Sequence, residues 1–178
     1  MNTLINVCVG GMLALVATSG CALAQSPTGP EARLKEKNII LPPVPAPVGN
    51  YVDSVQAGKL LFLAGNTAGP QWRFKGKVGK DITVDEGYET ARQVGFVMLA
   101  KVRAALGSLD RVKRIVKVLG MVNSAEGFGD QPRVMNGFSD LIVEVYGEAI
   151  GKHARSAVGV AALPGNAAVE VEMIVEVE

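Results

Sequence analysis

The chain has 178 residues, 48% of them hydrophobic and 20% charged, and its eighteen basic and seventeen acidic side chains leave a formal net charge of +1. That balance suits one ordinary globular domain of about 150 residues behind a targeting segment, and it lacks the basic footprint of a nucleic-acid-binding protein. One histidine and two cysteines are too few for a conventional zinc site, so no metal is expected.

Met1 to Ala24 carries no charged side chain, holds an apolar run from Val7 through Val16 and closes on Ala22-Leu23-Ala24, an A-x-A cleavage pattern. It reads as a cleavable secretory signal peptide, which places the mature protein in the periplasm or outside the cell. A second reading makes Cys21, after Ser19-Gly20, the acylated residue of a lipoprotein. Thr18, Ser19 and Gly20 interrupt the run, and no other apolar span of about 20 residues exists, so no membrane span is predicted. Cleavage after Ala24 removes Cys8 and Cys21, and with them disulfides and thiolate catalysis. Residues 25–50 follow as a proline-rich arm or linker, with Pro42-Pro43-Val44-Pro45-Ala46-Pro47 extended. The folded domain is expected over 51–178.

Within that domain Val52 to Gln56 and Lys59 to Ala64 read as a hairpin around Ala57-Gly58, and Trp72 to Val78 as a short strand or loop. Asp81 to Leu106 is a helix, with Thr83 as N-cap, Asp85 and Glu86 in the first turn and Gly107 as its stop. Its apolar stripe is Tyr88, Ala91, Val94, Met98, Val102 and Ala105. Arg111 to Val122 is a strand. Asp130 to Tyr146 is a second helix, carrying Val134, Phe138, Leu141, Ile142 and Val145 and ended by Gly147. The order strand-strand, helix, strand, helix, strand-strand predicts an α+β sandwich, a mixed sheet covered on one face by two helices.

The two closing strands carry the chemistry. In the first, Arg155, Ala157, Gly159 and Ala161 share one face, so an arginine lies among small side chains. In the second, Val169, Val171, Met173, Val175 and Val177 share one face, and Glu170, Glu172, Ile174, Glu176 and Glu178 the other. Pro164, Gly165 and Asn166 between them are a turn signal of the kind that joins neighbouring strands, which would set Arg155 and Glu170 on adjoining strands. From spacing alone, a solvated charged edge explains these residues better than a ligand site does.

The run Arg155-Ser156-x-Val158-x-Val160-x-x-Leu163-Pro164 with Val169-Glu170-Val171-Glu172 resembles the C-terminal signature of the YjgF/RidA family, also called L-PSP endoribonuclease-like. Gly49-Asn50-Tyr51 and the stretch Val55 to Asn66 are similar to the family's opening hairpin, and Val134-Met135-Asn136 resembles its Val-x-Asn helix. The resemblance runs from Tyr51 to Glu178. Ala64 and Asn66 stand in place of the usual Ser and Gln, Ala157 where many members carry cysteine, and His153 where proline is frequent.

The resemblance implies a chorismate-mutase-like fold, a homotrimer with clefts between subunits, and cofactor-free hydrolysis of reactive 2-imino or 2-enamino acids to 2-oxo acids and ammonia. On it, Arg155 holds the carboxylate of a small substrate, Glu170 acts as general base on the attacking water, and Tyr51 and Asn136 line the cleft. Glu172 shares the face of Glu170 but not the matching position. Tyr51 also fits as a half-buried strand aromatic, and His153 as a packing residue or part of the rim. Two alternatives stay open: a binding protein for small carboxylates without catalysis, and the RNA cleavage in the family's older name, against which near-neutral charge and the export signal argue.

Overall fold

The computed structural model describes residues 29–178, so the signal peptide read over 1–24, its cleavage after Ala24 and the acylation reading of Cys21 lie outside the described residues. In chain order the elements are α1 (Pro30–Glu36), β1 (Ser54–Ala57), β2 (Leu60–Thr67), α2 (Val84–Leu106), β3 (Val112–Asn123), α3 (Gln131–Tyr146), the single turn α4 (Glu148–Gly151), β4 (Ala154–Val160) and β5 (Val169–Val177). Among the described residues no helix is long and apolar enough to cross a membrane.

Local chemistry sets the helix ends. The Thr83 hydroxyl accepts from the Glu86 backbone N–H while the Glu86 carboxylate accepts from the Thr83 N–H, a reciprocal capping box that starts α2. Gly107 and Gly147 end α2 and α3 as expected. The α2 stripe departs in one place: Ala105 is exposed and Leu106 is buried. Trp72 to Val78 forms no strand, only single bridges from Lys75 to Ala167 and from Val78 to Ile82 and Ser124. That loop is held to α2 by the Trp72 indole N–H, which donates to Thr90 Oγ1 at 2.9 Å.

The sheet has the order β1-β2-β5-β3-β4, antiparallel throughout except for the parallel pair β3/β4. The expected mixed sheet is therefore present, with α2 and α3 on one face. Leu61, Leu63, Ile115, Val118, Val122 and the five alternating apolar residues of β5 are buried there against Val94, Met98, Val102, Phe138, Leu141 and Ile142. The helices approach closely because α3 has a glycine at the crossing: a Cβ on Gly137 would run into the Tyr88 carbonyl of α2. Lys77 ties the C-terminal ends of β3 and β4, its ammonium donating to Asn123 Oδ1 (3.0 Å) and the Ala161 carbonyl (2.6 Å).

Two expectations are corrected. The closing strands are not neighbours, because β3 lies between β4 and β5. A parallel β3/β4 pair needs a crossover, which α3 supplies, so the chain then passes over β3 to place β5 on its other side. The arm expected over 25–50 is also not all arm. Pro30 to Glu36 is helical, Leu34 is buried in the core, and Ile39 and Leu41 pack against it. The Glu31 carboxylate accepts from Arg103 Nε (3.0 Å), Arg103 Nη2 (2.6 Å) and the Leu109 N–H (2.9 Å). The fold therefore begins near Pro30.

Candidate active site

Arg155 sits at the start of β4, the sheet's edge strand, opposite Val118 of β3 and on the helix-covered face. Pro132, Asn136 and Ser139 of α3 are spaced i, i+4, i+7, so they line one side of that helix. Arg155 Nη1 donates to Asn136 Oδ1 at 3.1 Å and to Ser139 Oγ at 2.9 Å, and Nη2 donates to the Pro132 carbonyl at 3.2 Å. A guanidinium has five N–H donors. Among the described residues three are used, which leaves the Nε–H and one Nη2–H, on the same side of the guanidinium, for a ligand carboxylate. Burial lowers the guanidinium's pKa and Asp140 opposes that shift, yet the group stays charged at any physiological pH.

His153 stands behind this arrangement. Its Nδ1 lies 2.6 Å from the Gly151 carbonyl and its Nε2 lies 3.1 Å from Ser139 Oγ. A carbonyl only accepts, so Nδ1 carries the proton, and in the neutral ring Nε2 accepts from the Ser139 hydroxyl. Burial lowers the imidazole's pKa, with the Gly151 bond opposing and Arg155 adding to the effect, so the neutral form is favoured. Ser139, Val143, Lys152, His153 and Arg155 line an open cavity of about 500 Å³.

Glu170 lies elsewhere. It pairs with Met121 of β3 and Thr67 of β2 on the sheet face that, among the described residues, no helix covers. The β2 register shifts between Leu63 and Asn66, and Gly65 within that shift lies against the carboxylate, so that a Cβ there would collide with Glu170 Oε1. Burial, then the neighbouring Glu172, raise the pKa of Glu170, a shift that suits a general base working near neutrality. Glu172 itself is exposed, beside a concavity of about 380 Å³ that Phe62, Lys117, Leu119, Ser156 and Ile174 also line. One row across this open face is apolar: Val55, Phe62 and Ile174 stand in register, with Val55 56% and Phe62 41% exposed.

Of the four residues singled out in the sequence, the fold brings together Arg155 and Asn136. Glu170 is two strands from β4, about 10 Å across the sheet, and its side chain leaves the opposite face. Tyr51, 49% exposed, precedes β1 at the other edge, roughly 19 Å away by strand spacing. Sequence reasoning missed Ser139 and the Ser139–His153 bond; the i, i+4, i+7 spacing in α3 was the available signal.

The family model described as YjgF/chorismate mutase-like matches residues 31–177. The chain belongs to the YjgF/RidA family. Similarity to Trypanosoma cruzi protein TCP17 is 46% identity over 149 residues, covering 82% of this chain and 92% of that one. A 2-iminobutanoate/2-iminopropanoate deaminase of Dermatophagoides farinae is 30% identical over 150 residues, covering 82% of this YjgF/RidA chain and 100% of the relative. The crystal structure of Atu1372 from Agrobacterium tumefaciens, a protein of unknown function, superposes with a TM-score of 0.76 at 40% identity, covering 84% of this chain and 92% of that one. The α+β architecture is thus that of the YjgF/chorismate-mutase-like fold.

Proposed function

We propose that this YjgF/RidA member hydrolyses reactive 2-imino or 2-enamino acids to 2-oxo acids and ammonia, in the periplasm, at clefts assembled between copies of the chain. The observation that carries the reading is Arg155, which α3 fixes in place while two of its donors stay free for a substrate carboxylate. The deaminase relative supports the reaction class. Because Glu170 and Arg155 leave opposite faces of one sheet, a small substrate meets both only if the carboxylate comes from a neighbouring copy. The apolar row Val55-Phe62-Ile174 on the open face offers a surface for such a neighbour, and a homotrimer meets the geometry with a repeated heterologous contact.

In the cleft Arg155 holds the carboxylate, and Glu170, with its raised pKa, takes a proton from the water that attacks the imine carbon. The proton is passed to nitrogen, the carbinolamine collapses, and C=NH plus water becomes C=O plus ammonia. Imines hydrolyse in water unaided, so orientation of substrate and water is a sufficient contribution from the protein. Arg155→Ala removes charge-assisted bonds worth about 1.5–3 kcal/mol, or roughly 10- to 100-fold in kcat/KM. The test is release of ammonia and 2-oxo acid from imines generated in situ by an amino-acid oxidase. Acceleration above the spontaneous rate that is lost in Arg155→Ala and Glu170→Ala supports the assignment. Carboxylate binding that depends on Arg155, without acceleration, replaces it with a binding role.

A further inference from the structure

We propose that Ser139 and His153 are positioning residues for Arg155: a hydrogen-bond relay from the Gly151 carbonyl through His153 and Ser139 fixes the direction in which the guanidinium presents its free donors. The inference rests on the reading of Arg155 as the carboxylate-holding group.

The relay has one permitted direction. At one end the Gly151 carbonyl only accepts, so His153 Nδ1–H donates to it at 2.6 Å. At the other end the guanidinium only donates, so Ser139 Oγ accepts from Arg155 Nη1 at 2.9 Å. The Ser139 hydroxyl proton is thereby committed to His153 Nε2 at 3.1 Å. Each member is thus oriented by the next, and the anchor is the main chain of Gly151, the last residue of α4, two residues ahead of the histidine that leads into β4. The ring is also braced by Phe138, edge-on with centroids 6.3 Å apart.

Only neutral His153 completes it. A protonated ring turns Nε2 into a donor, leaves the Ser139 hydroxyl proton without its acceptor, and sets a second cation beside Arg155. The charged groups around the ring are Arg155 on β4, Lys152 before it, Glu148 of α4, which pairs with Lys152 at 2.8 Å, and Asp140 of α3, which accepts from the Tyr88 hydroxyl at 2.9 Å. Of these and the imidazole, only the imidazole ordinarily titrates near neutrality. Carboxylate affinity is therefore retained above the ordinary histidine value of 6.5 and lost on the acid side of it, since burial favours the neutral ring.

The experiment is calorimetric titration of the mature chain with 2-oxobutanoate from about pH 8 to pH 5, comparing the parent with Ser139→Ala, Ser139→Thr, His153→Gln and Arg155→Ala, with melting curves to confirm that each is folded. Ser139→Ala is expected to weaken binding roughly three- to tenfold, and Ser139→Thr, which keeps the hydroxyl, to restore it. His153→Gln offers a non-titrating acceptor at the place of Nε2, so it should keep the neutral-pH affinity and flatten the acid loss. Loss of binding in Arg155→Ala alone, with the Ser139 and His153 variants unchanged in affinity and pH slope, overturns the relay and leaves the carboxylate reading standing. Equal binding by Arg155→Ala and the parent, or no binding by either, overturns both.

Discussion

Gly65→Ala isolates the placement of Glu170 from everything else in the protein. The Gly65 backbone is not in the left-handed region, so alanine introduces no backbone strain. Its Cβ would collide with Glu170 Oε1, and even the carboxyl carbon would be only 3.2 Å away. Ordinary contact between such atoms is about 3.5 Å or more, so the carboxyl group has to retreat by roughly 1 Å. It is the far end of a flexible side chain, so stability should change by less than about 1 kcal/mol. Catalysis has less tolerance: a displacement of about 1 Å at a catalytic group costs on the order of 100-fold. The assay is kcat/KM for in situ imine hydrolysis beside the melting temperature and 2-oxobutanoate affinity. A large fall in kcat with unchanged melting and near-unchanged affinity is expected. Parental kcat in a folded Gly65→Ala protein would refute the role given to the Glu170 carboxylate.

Further expectations concern pH, the N-terminal helix and a buried charge. Because the pKa of Glu170 is raised, the acid limb of kcat/KM should lie above the ordinary carboxylate value of 4.5, with activity rising as pH rises through it; Glu170→Gln should lose the activity yet melt no lower at neutral pH, since the folded state disfavours the ionised form. Leu34→Ala, in a helix that composition read as part of an arm, should cost about 2–3 kcal/mol by denaturant unfolding if α1 is integral to the core. Lys101, 5% exposed on α2, pairs with Asp53 ahead of β1. Asp53→Asn should destabilise by about 2–4 kcal/mol by leaving that ammonium uncompensated, and Lys101→Met added to it should recover most of the loss.

Elements whose signals are local were legible in the sequence. Thr83 and Glu86 announce the start of α2 because a cap is a contact between residues three apart, and the alternation of β5 shows which of its faces is buried. What was not legible depends on how distant segments meet. Alternation separates Arg155 from Ser156 within β4, but it cannot tell that β3 intervenes before β5, nor that Arg155 and Glu170 leave opposite sides of the sheet. The proline-rich composition after Asn38 masked α1, although Pro30 at its first turn, Glu31 near its start and Lys35 near its end are ordinary helix signals. Lys101 interrupts an apolar helix face without any nearby hint of Asp53, 48 residues earlier. For the site, the family signature supplied Arg155, Glu170, Tyr51 and Asn136, and the fold joins only the Arg155–Asn136 pair inside one chain.

The most direct test of a site shared between copies is complementation. Arg155→Ala and Glu170→Ala chains, each inactive alone, are co-refolded in equal amounts and assayed for imine hydrolysis, with mixed assembly verified by differential tags. Random pairing at a heterologous interface places an intact Arg155 against an intact Glu170 at about a quarter of the clefts, so activity should return to about a quarter of the parental value. Verified mixed assemblies that stay inactive would contradict the account, because they would mean that the two residues have to belong to the same chain.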